Sequence, residues 1–319
     1  MNPAPNRTMR DAIIPAVLAE MHKDPSIYFL TADLGAPSLD QLRREFPDRF
    51  VNVGIAEQNL INVGTGLALE GCRVFVFGIA PFVSMRCFEQ IRNNLSLLSQ
   101  TRPVNVNILS VGAGFSYEVS GPTHHALEDL ALMRALPNLE VFSPSDWVTA
   151  RAFVPYALSR QTPKYLRLDG KPLPGIYPDG HVFDFHKGFD VLQPGQRVGI
   201  VSTGCLTQLA MELCENSPEW RNRVGLIDLF MIQPTNETAL KDQMRNYQHI
   251  VTLEEGFVGK GGLDSLVNRL VIQDRHQATV DSLGVPPHYL FEPGSRAFLR
   301  QACGIAPAAI RRTVEQYLN

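Results

Sequence analysis

Charge is scarce in this chain, and neither sign dominates. Only 19% of the 319 residues are Asp, Glu, Lys or Arg, and the formal net charge is −3. Such a chain has no global positive field to hold a polyphosphate backbone, which argues against nucleic acid as a partner. Cysteine is sparse as well. Cys72, Cys87, Cys205, Cys214 and Cys303 are odd in number and form no CxxC or Cys/His pair at zinc spacing. They read as reduced thiols, several on apolar faces. Long apolar runs are missing too: no stretch reaches the roughly 18 uninterrupted apolar residues of a membrane span, and MNPAPNRTMR (1–10) lacks the apolar centre of a secretory signal. The expectation is a cytoplasmic chain with no membrane contact.

What is present is a 45% apolar chain of about two average domains. Short apolar runs alternate with longer helical patterns, the sign of an α/β fold with largely parallel sheets. In the first half, strands are expected at 27–30, 50–53, 74–77, 104–109, 139–142 and 165–168, with helices near 38–46, 56–70, 82–99, 127–135 and 145–158. Ser38, and Ser145-Asp146 behind Pro144, are the expected helix starts. From Asp169 to Gly188 the text is rich in Pro and Gly without any period and reads as an interdomain connector. A smaller α/β unit follows, with strands expected at 197–202, 224–228, 249–253 and 279–283 and helices near 204–215, 235–245, 261–271 and 305–317.

Several segments carry candidate chemistry. In Asn52-Val53-Gly54-Ile55-Ala56-Glu57-Gln58-Asn59 a strand ends, a glycine turns the chain and a helix begins. Glu57 therefore stands in a first helical turn at the carboxyl end of a strand, where α/β sheets commonly place ligands. An acid there can simply complement the helix dipole, but the near-absence of other charge from 51 to 69 favours a functional carboxyl. In Gly121-Pro122-Thr123-His124-His125 the adjacent histidines point different ways on any regular backbone, which argues against a chelating pair. One packed and one solvated histidine is the plain alternative to a site. The preceding SVGAGFSYEVS (110–120) has no period and reads as a long functional loop. Phe82 and Phe88 offer faces for a flat heterocycle or for core packing. Arg167, at a strand end, suits either phosphate or carboxylate recognition or a structural ion pair. The run Glu254-Glu255-Gly256-Phe257-Val258-Gly259-Lys260-Gly261-Gly262 lacks Walker spacing and reads as a turn that brings glycine backbone against a neighbouring helix.

Together these blocks resemble the thiamine-diphosphate enzymes of the transketolase family. The resemblance covers nearly the whole chain and rests on GIAEQN (54–59), GPTHH (121–125) followed by LEDLALMRALPN, SPSD (143–146) and VTLEEG (251–256), in the family's order and at compatible spacing. It implies two three-layer α/β domains: a pyrimidine-binding domain with a mainly parallel sheet over 1–180, then a transketolase C-terminal domain over 181–319. Glu57 is similar to the glutamate that meets the pyrimidine ring nitrogen of the cofactor, a role that needs a carboxyl able to keep or share a proton in a desolvated setting. His124 matches the histidine that bonds the reacting oxygen of donor or acceptor. Phe82 resembles the aromatic that stacks on the aminopyrimidine. Ile79 and Met85 stand where the family often has further aromatics, and Phe88 is another candidate for ring contact. Arg167 looks like the arginine that receives a substrate phosphate, and Asp33 like an acid near the substrate channel.

Two positions depart from the family's pattern. Ser120 replaces an Asp that reads a substrate hydroxyl just before GPTH, and Gly112 replaces a His on the phosphate path. Both weaken the case for ordinary pentose and hexose phosphates as substrates. A larger difference is that LDG (168–170) and PDG (178–180) occur, but no GDG with NN roughly 25–30 residues later, the family's hold on diphosphate and Mg²⁺. The resemblance then implies a split enzyme. An N-terminal transketolase-like partner carries GDG…NN, the metal and the diphosphate, two copies of each chain form a heterotetramer, and this chain supplies no metal ligand. The expected reaction moves a two-carbon ketol unit from a ketose or ketose phosphate to an aldehyde. The alternatives are a 1-deoxyxylulose-5-phosphate-synthase-like reaction, a 2-oxoacid dehydrogenase beta-type subunit, and a non-catalytic partner. GPTHH with LEDLALMRALPN favours transketolase over the dehydrogenase, and keeping both Glu57 and His124 speaks against an inactive partner.

Overall fold

Alternating valine and phenylalanine decide how the first sheet is covered. Along Arg73–Ile79, Val74 and Val76 are buried in one core and Phe75 and Phe77 in another, because successive side chains leave a strand on opposite faces. A sheet apolar on both faces needs a helical layer on each.

The computed structural model describes residues 4–318. Its strands are β1 (Ala4–Arg7), β2 (Ile27–Thr31), β3 (Phe50–Asn52), β4 (Arg73–Ile79), β5 (Val106–Val111), β6 (Glu140–Phe142), β7 (Lys164–Leu168), β8 (Leu173–Gly175), β9 (Phe189–Gln193), β10 (Gly195–Ser202), β11 (Asn222–Leu229), β12 (Met231–Gln233), β13 (His249–Phe257) and β14 (Thr279–Val285). The first sheet runs β12-β6-β7-β5-β4-β2-β3 and is parallel except for β12, which lies antiparallel on β6. The second runs β14-β13-β10-β11-β9 and is parallel except for β9. Two α/β domains with mainly parallel sheets are thus present, as the sequence implies. They are fastened together, since β12 comes from the second half of the chain to complete the first sheet. One core also joins Leu30, Val74 and Val106 to Val201, Ile227 and Ile250 of the second sheet.

Some elements differ from expectation. The helix Met9–Met21 was not among those expected, and it runs through Pro15, a residue that normally disrupts a helix interior. Thr8 caps its start, accepting from the Asp11 amide at 3.0 Å, and Ile13, Ile14 and Val17 are fully buried in the core that includes Phe153 and Val154. Tertiary burial therefore carries this helix past its proline. Ser38 caps nothing: the second helix begins at Pro37, and the Ser38 hydroxyl instead lies 3.4 Å from Asp11. Asp146 does cap the helix Trp147–Ser159, accepting from the Thr149 amide at 2.8 Å. The connector contributes β8, which pairs with β1. The helix expected at 82–99 is instead two π-helical segments, Phe82–Arg86 and Ile91–Leu97, around a short α turn at Phe88–Gln90. Such π turns occur frequently at functional sites. Among the described residues no helix is long and apolar enough to cross a membrane.

Candidate active site

Beyond β3, Gly54 takes φ +76°, a left-handed turn open to glycine, and the helix Glu57–Leu69 starts three residues later. This carries Glu57 to the carboxyl edge of the sheet, with only 5% of the residue exposed. Its surroundings are not the uncharged ones that residues 51–69 suggest. Arg86, from the first π-helical segment, donates Nη1 to Glu57 Oε2 at 2.7 Å. The same guanidinium lies 4.7 Å from the centroid of the Phe82 ring. The neighbouring Cys87 thiol is pushed up to about 12 by burial, with the Glu57 charge adding to the effect, so it stays protonated and unreactive.

His124 meets Phe82 edge-on at 5.1 Å, faces the Tyr117 ring at 6.4 Å, and has Nδ1 3.0 Å from the Thr123 hydroxyl. His125 turns inward. It is buried against Phe115 at 5.1 Å, and burial lowers its pKa. One histidine therefore joins Glu57 and Phe82 while the other packs. The loop before them is pinned from the second domain, which the sequence did not suggest. Glu255 accepts from the Phe115 amide at 3.0 Å and from Arg296 and Arg300, each at 2.6 Å. Burial alone would raise the Glu255 pKa, but the two guanidiniums hold it well below the usual carboxylate range. Gly112, where the family carries His, has φ +111°, and a Cβ there would meet the Tyr117 ring closer than any ordinary contact. The space for a side chain at 112 is filled by Tyr117.

The remaining candidates divide. Asp33 is exposed in the left-handed region at φ +55°. Its amide donates to Asn52 Oδ1 at 3.1 Å, and Asn52 Nδ2 donates back to its carboxylate at 2.8 Å. Ser120 is exposed at the end of the turn Glu118–Ser120, Ile79 is half-buried at the end of β4, and Met85 is exposed. Phe88 packs against the first core, which corrects its reading as a ring contact. Arg167 is also corrected. It is 3% exposed, its Nε lies 2.8 Å from Asp129 Oδ2, and its Nη2 donates to the carbonyls of Ala126 and Glu255 at 2.9 and 2.8 Å. Those contacts commit Nε and Nη2 to the fold, and the residue is buried rather than presented to a phosphate. The glycine run after Glu255 behaves as expected. Gly259 and Gly261 donate their amides to Asp264 and Ser265, and a Cβ on Gly261 would touch Ala131 of the helix Asp129–Arg134 at 3.5 Å.

A cavity of about 880 Å³ lies between the domains, lined by Lys171, Tyr177, Gln208, Met211, Arg296 and Arg300, and does not include Glu57. The cluster of Glu57, Phe82 and His124 sits instead on an open edge, with the apolar Ile55 80% exposed two residues from Glu57. Among the described residues no three His, Cys, Asp or Glu side chains converge as a metal-binding set.

Two mainly parallel α/β domains, with a carboxyl, an aromatic ring and an imidazole gathered at an open sheet edge, define an α/β subunit with a candidate site at that edge. Residues 6–174 match the family described as transketolase, pyrimidine binding domain, and residues 188–310 match transketolase, C-terminal domain. The chain belongs to the transketolase family. It is 32% identical over 267 residues to one of the subunits of the apulose-4-phosphate transketolase of Actinobacillus succinogenes, covering 82% of each chain. It is 26% identical over 313 residues to the 6-deoxy-6-sulfo-D-fructose transketolase subunit SqwH of Clostridium sp. (strain MSTE9), covering 97% of this chain and 94% of that one. A solved structure described as a split gene transketolase, inactive beta4 tetramer, superimposes with a TM-score of 0.84 at 32% identity, covering 98% of both chains. The family works with thiamine diphosphate, and the residues suit its aminopyrimidine end: a buried carboxyl at a sheet edge, an aromatic face and an imidazole edge-on to it stand together.

Proposed function

We propose that this chain is the C-terminal subunit of a split transketolase that transfers a two-carbon ketol unit from a ketose or ketose phosphate to an aldehyde. The convergence of Glu57, Phe82 and His124 at one open edge carries the reading. Thiamine diphosphate, when bound, supplies the carbon nucleophile for ketol transfer. Glu57, in the first turn of the helix Glu57–Leu69, holds or shares a proton at the pyrimidine ring nitrogen. Phe82 gives the ring a face to stack on. The Thr123 hydroxyl at Nδ1 orients His124, so that Nε2 presents a hydrogen bond to the reacting oxygen. In this reading Asp33 lies near the substrate channel and Ser120 meets substrate where the family has an Asp; both are exposed.

The diphosphate and Mg²⁺ belong, in this reading, to an N-terminal transketolase-like partner carrying GDG…NN, in a cytoplasmic complex with two copies of each chain. The exposed Ile55 and Met85 beside the site fit an interface that this partner covers. The description of the solved relative as an inactive beta4 tetramer supports a need for a second kind of chain. Its relatives are named for apulose-4-phosphate and 6-deoxy-6-sulfo-D-fructose, and Gly112 and Ser120 favour a similarly specialised sugar here. The test mixes this chain with an N-terminal subunit, a ketose donor and an aldehyde acceptor, with and without thiamine diphosphate and Mg²⁺. Ketol transfer that requires both chains and the cofactor is expected. Full activity from this chain alone, or transfer indifferent to thiamine diphosphate, contradicts the reading.

A further inference from the structure

Arg86 has no part in the chemistry above, yet it donates the hydrogen bond that Glu57 accepts. We infer that Arg86 is a built-in stand-in for the cofactor ring: in the free chain its guanidinium occupies the place of the aminopyrimidine, and binding of the cofactor displaces it. The inference rests on the thiamine-diphosphate reading. A guanidinium is planar and cationic, with N–H donors in its plane and a face that lies over aromatic rings. Here an in-plane N–H meets Glu57 Oε2 at 2.7 Å while the group covers Phe82 at 4.7 Å. Those are the two contacts that a heterocycle bonded to Glu57 and stacked on Phe82 would make. His124 is already set edge-on to Phe82 at 5.1 Å, so a ring satisfying both groups has to take the volume that the guanidinium holds.

The local backbone makes both the occupation and the release possible. Phe82 and Arg86 are four residues apart in one π-helical segment, which keeps their side chains neighbours. The Arg86 side chain is 48% exposed, so the guanidinium has solvent to move into, whereas Glu57 at 6% has none. While the pair persists, Glu57 is not left as a buried carboxylate without a counter-charge, a state that is costly in any apolar setting. The arginine thus protects an acid that would otherwise wait unpaired, and the cofactor ring takes over the same two contacts.

Two measurements on Arg86→Ala and Arg86→Gln test this. In the full chain alone, the Arg86 side-chain N–H signals are followed by nitrogen-15 NMR, assigned by their absence from both variants. They should be protected from solvent exchange in wild type and lose that protection in Glu57→Ala, because the hydrogen bond to Glu57 is then gone. In the complex with the N-terminal subunit, titration with thiamine diphosphate and Mg²⁺ by calorimetry should show roughly 5- to 10-fold tighter binding for Arg86→Ala, because the ring then has no guanidinium to displace. Unprotected Arg86 N–H signals in wild type overturn the pairing whatever the function. Unchanged or weaker cofactor binding in Arg86→Ala, with the wild-type signals protected, overturns the stand-in role; weaker binding makes Arg86 a support for the bound ring. No binding by wild type or variants, with the wild-type signals protected, overturns the thiamine-diphosphate reading and the stand-in role with it, leaving only the ion pair.

Discussion

The buried pair of Asp129 and Arg167 offers a sharp test, because the family resemblance gives Arg167 a substrate phosphate and the structure gives it a buried carboxylate. Asp129 is 1% and Arg167 3% exposed, and Nε reaches the two carboxylate oxygens at 3.1 and 2.8 Å. The remaining bonds of Arg167 tie the chain just after His125 to β13 of the second domain. Burial on its own would depress the Arg167 pKa, but Asp129 and Glu254 raise it, so the cation persists in the interior. Asp129→Ala would leave that cation with two carbonyls and no direct counter-charge, at a cost of about 3–5 kcal/mol. For a chain of this size that corresponds to a fall in Tm of about 5–7 °C. Arg167→Met strands the carboxylate with Tyr165 and costs a similar amount. The double variant replaces the pair with apolar groups and should recover roughly 2 kcal/mol relative to the sum of the single changes. Urea denaturation of the full chain gives the cycle, and KM for a phosphorylated donor in the reconstituted complex completes it. Additive single effects below about 1 kcal/mol, together with a large rise in KM for Arg167→Met alone, would refute the structural assignment and restore the phosphate role.

Other outcomes follow from single positions. Gly112→Ala should cost about 2 kcal/mol or more, since it strains a left-handed backbone and strikes the Tyr117 ring, and Tyr117→Ala in the same chain should recover part of it; an unchanged Tm in the single variant refutes this. Burial lowers the Lys164 pKa to about 7 against the opposing charge of Glu140, compared with roughly 10.4 in an unfolded chain. Between those values the unfolded chain binds a proton that the folded chain has released, so Lys164 makes stability rise as pH climbs from about 7 to about 10. Lys164→Met should flatten that part of the stability curve, and parallel curves for the two proteins would show that the residue titrates normally.

The framework was legible where burial on both sides left an unbroken apolar run. β2, β4, β5 and β7 and the helix Glu57–Leu69 lie within about two residues of their expected bounds for that reason. The helix Met9–Met21 runs through Pro15, whose local cost is outweighed by packing that no window of the sequence contains. β12 was hidden because three residues joining the far edge of another domain's sheet leave no periodic trace. At the site, Glu57, Phe82 and His124 could be found from their motifs, and the structure brings them together. Arg86 could not, because its meaning depends on a contact across 29 positions of sequence. Arg167 and Phe88 failed in the opposite way: residue type and position suit a ligand, but the fold supplies Asp129 for one and an apolar core for the other. The Glu255 clamp on the Phe115 amide joins residues 140 apart, and the glutamate pair gave no hint of it.

The central claim is that Glu57 is the acid through which this chain activates the cofactor, and Glu57→Gln tests it most directly. Glutamine keeps the size and a hydrogen bond but cannot exchange the proton. In the complex with the N-terminal subunit, at saturating thiamine diphosphate and Mg²⁺, the account predicts a kcat for ketol transfer lower by about 10²- to 10⁴-fold, with the complex still assembled. A kcat within about twofold of wild type would contradict the claim, because a catalytic acid cannot be replaced without changing the rate.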